Sequence, residues 1–76
     1  MTLWDLTKNS LSTISHLSPT LEEALLVRLM EMGFETNQSI TCLRRTPFSG
    51  PIVVQLGDSV FSLEQELAQH VYLATN

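Results

Sequence analysis

Disulfide chemistry and an excess of positive charge are both missing from this sequence. Its 76 residues contain one cysteine, Cys42, so no disulfide can form within the chain. Small secreted domains usually need several disulfides, which makes a reducing cytoplasm the simpler location. Four basic residues stand against eight acidic ones, and the net charge is −4. Because nucleic-acid binding draws most of its affinity from basic residues that displace counterions, we expect no nucleic-acid partner.

Long apolar runs and clustered glycines are also missing. The longest apolar runs have about four residues, as at 24–27, whereas a membrane-spanning helix needs about 20. The N-terminus has no basic region followed by an apolar stretch, so we expect no signal peptide. The three glycines are isolated, so none belongs to a phosphate-binding loop. We therefore expect a cytoplasmic protein that is not an enzyme, does not insert into the membrane and reaches it only through a partner.

The composition favours one small folded domain. Hydrophobic residues make up 43% of the chain and charged residues 16%, whereas disordered chains combine low hydrophobicity with high charge. At this length we expect a single domain, residues 1–76. A domain of this size buries only about 60% of the surface that its unfolded chain exposes. It has no room for a large enclosed substrate cavity, which favours a binding or accessory role.

The strongest local pattern predicts a helix over residues 20–32. Thr20 and Glu23 have the spacing of a capping box, in which each side chain bonds the other's backbone N–H. Gly33 then follows as a left-handed stop, with Phe34 folding back on the last turn. The apolar stripe at helical spacing consists of Leu21, Leu25, Leu29 and Met32.

Five segments outside the helix have the composition of β-strands and are separated by turn residues. Asn9 suits a left-handed turn, residues 57–59 predict a second turn, and residues 64–68 are compatible with one helical turn. Curling so small a sheet into a barrel, with the helix at one end, would bury both of its faces. We therefore predict a mainly β fold with one inserted α-helix, as a small SH3-like barrel. The predicted strands span residues 11–17, 38–46, 52–56, 60–63 and 70–73.

Four segments, taken in order, resemble a known family over nearly the whole chain. They are residues 3–6, 29–33, 44–54 and 61–66, which read LWDL, LMEMG, RRTPFSGPIVV and FSLEQE. Their order is similar to that of the ferrous iron transport protein A family. The resemblance implies an SH3-like barrel that supports ferrous iron uptake in bacteria. It also implies a partner, the membrane ferrous iron permease, whose cytosolic domain hydrolyses GTP.

Some positions depart from the pattern of this family. Asn9 and Asn37 stand where turn glycines are usual, and asparagine also adopts left-handed conformations. Ser49 and Gly50 stand where Gly and Asp are usual, so we expect a different loop geometry. Glu64 replaces a commonly basic residue, which removes positive charge from one edge of the domain.

The end of the second predicted strand and the loop after it hold most of the candidate partner-binding residues. Arg44 and Arg45 are the only paired positive charges, and the fork of an arginine suits a carboxylate or phosphate. The alternative is that they are ordinary residues at the end of a strand, one solvated and the other paired with a surface glutamate. Phe48, with Ser49 and Gly50 beside it, is a candidate exposed anchor. The alternative is that Phe48 covers the mouth of the barrel.

A second candidate surface lies on the helix, away from the main stripe. Leu26, Val27 and Met30 either face a partner helix or a second copy of the chain, or widen the stripe that faces the core. The full set of candidate partner-binding residues is Arg44, Arg45, Phe48, Ser49, Gly50, Leu26 and Met30.

Metal-ligating residues are scattered along the chain. A structural zinc site wants four N or S ligands in close pairs, and His16, His70 and Cys42 show no such spacing. We therefore predict no metal site and no cofactor.

Four functions remain open at this point. The first is an accessory protein that binds the permease, with a third small protein of the same uptake system and self-association as further candidates. The second is a modulator of GTP turnover through an arginine supplied in trans, namely Arg28, Arg44 or Arg45. The third is a small domain that responds to iron or zinc. The fourth is a detached barrel from a metal-dependent transcriptional repressor.

Overall fold

The computed structural model describes residues 1–74 and contains five strands, which we number in chain order. The strands are β1 (Leu11–Leu17), β2 (Ser39–Arg45), β3 (Ile52–Leu56), β4 (Ser59–Leu63) and β5 (Val71–Leu73). All pairs are antiparallel, and the strand order is β4-β3-β2-β1-β5. A 3₁₀ turn (Leu3–Asp5) precedes the sheet, helix α1 (Glu23–Glu31) joins β1 to β2, and helix α2 (Gln65–Ala68) joins β4 to β5. The prediction of a mainly β fold with an inserted helix is confirmed.

Strand β1 changes its partner along its length, and this curls the sheet. Residues 11–13 pair with β2, whereas residues 14–17 pair with β5. The register shifts between Ile14 and His16, and again on β2 between Cys42 and Arg44. Such bulges bend a strand and increase its twist. The curled sheet encloses the apolar core on its concave side.

Helix α1 begins three residues later than the sequence predicts. The hydroxyl oxygens of Ser18 and Thr20 are hydrogen bonded at 2.8 Å, and the Thr20 N–H donates to the Ser18 hydroxyl at 3.3 Å. Glu22 occupies the N-cap position and makes no side-chain capping bond. The predicted capping box is therefore wrong, because Thr20 is held in a local turn by Ser18 and is not available to cap the helix.

The end of α1 is formed as predicted. Gly33 has a φ of 99°, and its N–H donates to the Met30 carbonyl at 3.0 Å. The Phe34 N–H donates to the Leu29 carbonyl at 3.1 Å, which completes a Schellman motif. The ring of Phe34 is buried and packs at 5.6 Å from that of Phe61, measured between centroids.

The core lies between the curled sheet, α1 and the 3₁₀ turn. Strand β3 alternates strictly, since Ile52, Val54 and Leu56 are buried while the residues between them are less buried or exposed. Asn9 and Asn37 have φ values of 67° and 72°, so both adopt the left-handed conformation that the sequence predicts. The largest fully buried side chains are Phe34, Leu3, Ile14, Leu29, Ile40, Ile52, Leu63, Val54, Val71 and Cys42. No helix within residues 1–74 is long and apolar enough to cross a membrane.

Candidate functional site

The loop between β2 and β3 is built around a turn with an unusual backbone. Phe48 and Ser49 have φ values of 59° and 58°, and the Gly50 N–H donates to the Pro47 carbonyl at 3.1 Å. This is the arrangement of a type I′ turn, whose two central positions usually hold Asn and Gly. A left-handed conformation costs about 1–2 kcal/mol for a residue with a Cβ atom. The loop therefore holds backbone strain at both Phe48 and Ser49.

One hydrogen bond and one close approach of the backbone hold this loop at its base. The Thr46 hydroxyl donates to the Pro51 carbonyl at 2.7 Å. Gly50 lies against the same hydroxyl, since a Cβ atom added there would stand 2.3 Å from the Thr46 oxygen. Glycine is required at this position because any side chain would displace Thr46. Gly50 thus supports the loop by leaving room for Thr46.

The ring of Phe48 points into solvent and is 100% exposed. The alternative in which Phe48 covers the mouth of the barrel is therefore wrong. A fully exposed aromatic side chain leaves a large apolar area in water, and aromatic anchors of this kind dominate the energetics of many interfaces. The strained turn holds this ring at the tip of the β2–β3 hairpin.

The two adjacent arginines have different environments. The Arg45 guanidinium lies over the Trp4 ring at 4.6 Å and donates to the carbonyl of Leu6 at 3.1 Å, and also to the carbonyl of Trp4. Arg45 thereby fastens the N-terminal segment to the end of β2. Arg44 pairs with Val53 in the backbone ladder, and its side chain is exposed. Sequence inspection does not separate the two arginines, because the partners of Arg45 lie about 40 positions away in the chain.

The second candidate surface, on α1, is only partly exposed. Leu26 is half-buried and packs against the core, so it widens the core-facing stripe. Val27 and Met30 are 44% and 55% exposed. Met30 also borders a shallow groove of about 260 Å³ with Leu17 and Phe34. On the predicted face, Leu26 thus contacts the core, whereas Val27 and Met30 are exposed to solvent.

The candidate metal ligands are not brought together. His16 stacks on Tyr72 with centroids 4.8 Å apart and rings nearly parallel, and its Nδ1 atom is hydrogen bonded to the Ser15 hydroxyl at 3.0 Å. Cys42 is fully buried in the core. In the part of the chain that the structure describes, no three His, Cys, Asp or Glu side chains form a group suited to a metal ion.

The carboxyl group of Asp5 has a lowered pKa because of its contacts with Thr2. Its Oδ2 atom accepts the Thr2 N–H at 3.0 Å and lies 3.1 Å from the Thr2 hydroxyl. The backbone bond from Thr2 lowers the pKa of Asp5 below its ordinary value of 3.8, and the hydroxyl bond and the charge of Arg45 act in the same direction. The ionised carboxylate therefore helps to fix the 3₁₀ turn that Arg45 holds from the other side.

A cleft that sequence inspection does not reveal lies between α1, the end of β4 and α2. Its volume is about 270 Å³. The apolar part of its lining consists of Leu25, Met32, Leu63 and Leu67. The polar part consists of Arg28, Ser62, Glu64 and Glu66. These residues come from α1, β4, α2 and the cap positions of the two helices, and only the tertiary fold brings them together.

A family model described as the FeoA domain matches residues 1–75. No curated protein matches the chain significantly. Among solved structures, the zinc complex of FeoA from Stenotrophomonas maltophilia is 25% identical, with a TM-score of 0.87, and the match covers 97% of this chain and 89% of that one. It is described as a procaryotic SH3 domain protein and as a candidate activating factor of bacterial ferrous iron transport. This similarity confirms the predicted SH3-like fold.

Two further structures are similar to this chain over a smaller share of their own length. Iron(II) transport protein A from Clostridium thermocellum is 25% identical, with a TM-score of 0.88, over 96% of this chain and 44% of that one. A manganese-dependent transcriptional repressor is 20% identical, with a TM-score of 0.88, over 100% of this chain and 41% of the repressor. The likeness to the repressor is one of fold.

Proposed function

The chain belongs to the FeoA domain family, and from this premise we propose that it is an accessory protein that binds the membrane ferrous iron permease and regulates it. The family match over residues 1–75 supports the link to ferrous iron transport. The Stenotrophomonas maltophilia relative, described as a candidate transport activating factor, supports an activating role. The protein would meet the GTPase-bearing part of the permease at the inner face of the cell membrane.

The exposed Phe48 side chain is the main observation that supports binding to the permease as the mode of action. Folding alone would favour a polar residue or glycine at a strained, fully exposed turn position. Strained backbone is often retained at ligand-binding sites because the strain presents a side chain in a fixed orientation. Phe48 therefore suits the role of an anchor that enters an apolar pocket of the permease, with Ser49 and Gly50 shaping and supporting its turn.

Arg44 is the charged component of the same hairpin. Both side chains are exposed, but Arg45 is bonded to the N-terminal segment, so Arg44 is the arginine of the pair that suits a contact with a partner. Its guanidinium suits a carboxylate or phosphate group beside the pocket that receives Phe48. Leu26 and Met30 on α1 belong to a second, weaker contact, in which Met30 supplies the exposed apolar area.

The test is the affinity of the full chain for the purified permease in detergent or nanodiscs. Phe48→Ala should weaken binding by about 30-fold, as for a hot-spot residue worth about 2 kcal/mol. Arg44→Glu should weaken binding and make it less sensitive to salt. Leu11→Ala is the matched control, because Leu11 is also an exposed apolar side chain and lies on β1. Unchanged affinity in folded Phe48→Ala and Arg44→Glu variants would reject this surface, and no binding at all would reject the proposed partner.

Modulation of GTP turnover is the second candidate function. The internal bonds of Arg45 favour Arg44 as the arginine that would act in it. An arginine supplied in trans stabilises the charge that develops during phosphoryl transfer. Saturating protein should then raise the GTP turnover of the permease, and Arg44→Lys should abolish the increase while leaving the affinity nearly unchanged. A turnover rate that does not respond to the protein would exclude this function.

A further inference from the structure

The sheet ends at the two strands β4 and β5, and within residues 1–74 the chain pairs with the outer side of β5 only. At β5, Thr2 forms a bridge with Tyr72, and the Leu73 N–H donates to the Met1 carbonyl at 2.9 Å. At β4, the backbone pairs with β3 on one side, and within residues 1–74 no strand pairs with it on the other. The outer side of β4 is therefore an open edge.

The register of β4 identifies the open groups. A two-residue turn begins at Gly57, whose φ is 61°, and closes on the pair Leu56 and Ser59. A turn of this length closes on a hydrogen-bonded pair, and bonded and non-bonded pairs alternate along antiparallel strands. Val60 and Ser62 therefore direct their N–H and C=O groups away from β3. Both residues are exposed, so these four groups are accessible to a partner.

This edge lacks the usual protection against strand pairing. Exposed edges commonly carry lysine or proline, which discourage the approach of another strand. Residues 59–63 contain neither, and no charged residue of any kind. The Val60 side chain is 58% exposed. Such an edge suits the addition of an extended segment through main-chain hydrogen bonds.

The charges beside β4 determine which segment can bind. Asp58 precedes the strand and Glu64 follows it. If a second copy paired antiparallel over the whole strand, with Phe61 at the centre, Asp58 of each copy would face Glu64 of the other. Like charges placed opposite each other destabilise strand pairing, and the net charge of −4 adds to the repulsion. A second copy is therefore disfavoured, whereas a strand with basic ends is attracted.

The cleft between α1 and α2 lies beside this edge and provides a pocket for a side chain of the bound segment. Ser62 and Leu63 of β4 line it together with Leu25 of α1 and with Met32, the C-cap residue of that helix. Its volume of about 270 Å³ is slightly below the range of small-molecule pockets, about 300–1,000 Å³, and suits a single apolar side chain. Glu64 and Glu66 outnumber Arg28 on its rim, which also favours basic neighbours for that side chain.

We propose that the open edge of β4 binds an extended segment of another protein, with a short apolar stretch between basic ends. The segment adds a sixth strand through the main-chain groups of Val60 and Ser62 and places an apolar side chain in the cleft. Asp58 and Glu64 bind its basic ends. This site is separate from Phe48 and does not depend on the function proposed above.

Amide exchange of the full chain tests this site with two peptides, acetyl-KVTVTVK-amide and acetyl-EVTVTVE-amide. In the free protein, the amides of Val60 and Ser62 should exchange much faster than those of Phe61 and Leu63, which bond to β3. The basic-ended peptide at about 1 mM should slow exchange at Val60 and Ser62 by about tenfold, because short strand additions are weak. The acidic-ended peptide should leave both rates unchanged.

Variants separate edge pairing from non-specific attraction. Val60→Pro removes an outward N–H at a position where an edge strand tolerates proline, and it should abolish the protection of Ser62. Val60→Thr keeps that N–H and is the matched control. The double reversal Asp58→Lys with Glu64→Lys changes only exposed side chains and should exchange the preference for the two peptides. Phe48→Ala should leave the protection intact, so this site and the Phe48 surface can fail independently.

Unchanged exchange at Val60 and Ser62 with the basic-ended peptide would overturn the proposal. Equal protection by both peptides would overturn it as well, because the flanking charges would then select nothing. If Val60→Pro does not fold, the double charge reversal decides the outcome alone, since a retained preference for the basic-ended peptide contradicts the assigned role of Asp58 and Glu64.

Discussion

The region around the N-terminal segment uses its polar groups in internal contacts, whereas the region from the Phe48 turn to β4 exposes an aromatic ring and, within residues 1–74, has an unpaired strand edge. In the first region, Asp5 accepts bonds from Thr2, Arg45 donates to two carbonyls, and Met1 and Thr2 cover the edge at β5. In the second region, Phe48 is fully exposed, and within residues 1–74 no strand pairs with the outer side of β4.

This difference separates residues that maintain the fold from residues that are available to partners. A covered edge protects a small sheet against unwanted pairing. The second region retains strain and an open edge in a domain whose size allows only modest stability. Substitutions in the first region should therefore change the free energy of unfolding. Substitutions in the second should mainly change binding, and some of them should stabilise the protein.

The largest effect is expected from Leu3→Ala, which removes a side chain that is fully buried under the covered edge. The lost burial and the cavity left behind should lower the free energy of unfolding by about 3 kcal/mol. Denaturant unfolding measures the change. The control is Leu11→Ala, because Leu11 is 69% exposed and should contribute less than about 0.5 kcal/mol. Similar losses in both variants would mean that the N-terminal segment is not part of the core.

Arg45→Ala should have the next largest effect. It removes the stacking on Trp4 and the bonds to the carbonyls of Trp4 and Leu6, so we expect a loss of about 2 kcal/mol. Arg44→Ala is the neighbouring control and should unfold like the unmodified chain. Trp4 fluorescence during denaturant titration follows both variants. Equal stability of the two variants would contradict the different environments of the two arginines.

Ser49→Gly should stabilise the protein, because glycine adopts the left-handed conformation without steric strain. The gain should be about 0.5–1 kcal/mol, since the greater flexibility of the unfolded chain offsets part of the relief. Ser62→Gly, in the extended strand β4, is the control and should be destabilising. Thermal unfolding monitored by circular dichroism compares the two. A destabilising effect at Ser49 would show that the turn is not strained there.

The smallest effect concerns the pH dependence of the covered edge. The contact with Thr2 lowers the pKa of Asp5 in the folded state. The ionised carboxylate therefore stabilises the fold, and this contribution is fully present at pH values above the unfolded pKa of 3.8. It is lost as the pH falls through the lower, folded value. An NMR titration of the Asp5 carboxyl carbon should give a midpoint below 3.8. A midpoint at or above the ordinary value in the unmodified chain would contradict the Thr2 contact. In the Asp5→Asn variant, this part of the acid dependence of stability should disappear.

Local patterns predicted much of the fold. The limits of β1 and β3, the left-handed asparagines and the Schellman ending at Gly33 all follow from residues that act on their immediate neighbours. The start of α1 was predicted wrongly, although it is also local, because Ser18 and Glu23 compete for the Thr20 side chain. The helix propensities of these residues do not show whether the Thr20 hydroxyl bonds to Ser18 or caps the helix at Glu23.

The candidate site was predictable only in part. The presence of a loop with an aromatic residue and two arginines is visible in the sequence. The full exposure of Phe48, the positive φ values of Phe48 and Ser49, and the internal bonds of Arg45 are not. These depend on where β2 ends relative to the N-terminal segment, and that position is set by packing.

The sequence by itself therefore determined the type and order of the elements, the acidic character and the family, because these depend on composition and on neighbours a few residues apart. Only the tertiary structure decided which arginine is bonded to the N-terminal segment, which sheet edge is paired within residues 1–74 and which residues line the cleft beside β4. Each of these depends on contacts between segments far apart in the chain, and the register and curvature that create them come from the packing of the whole sheet.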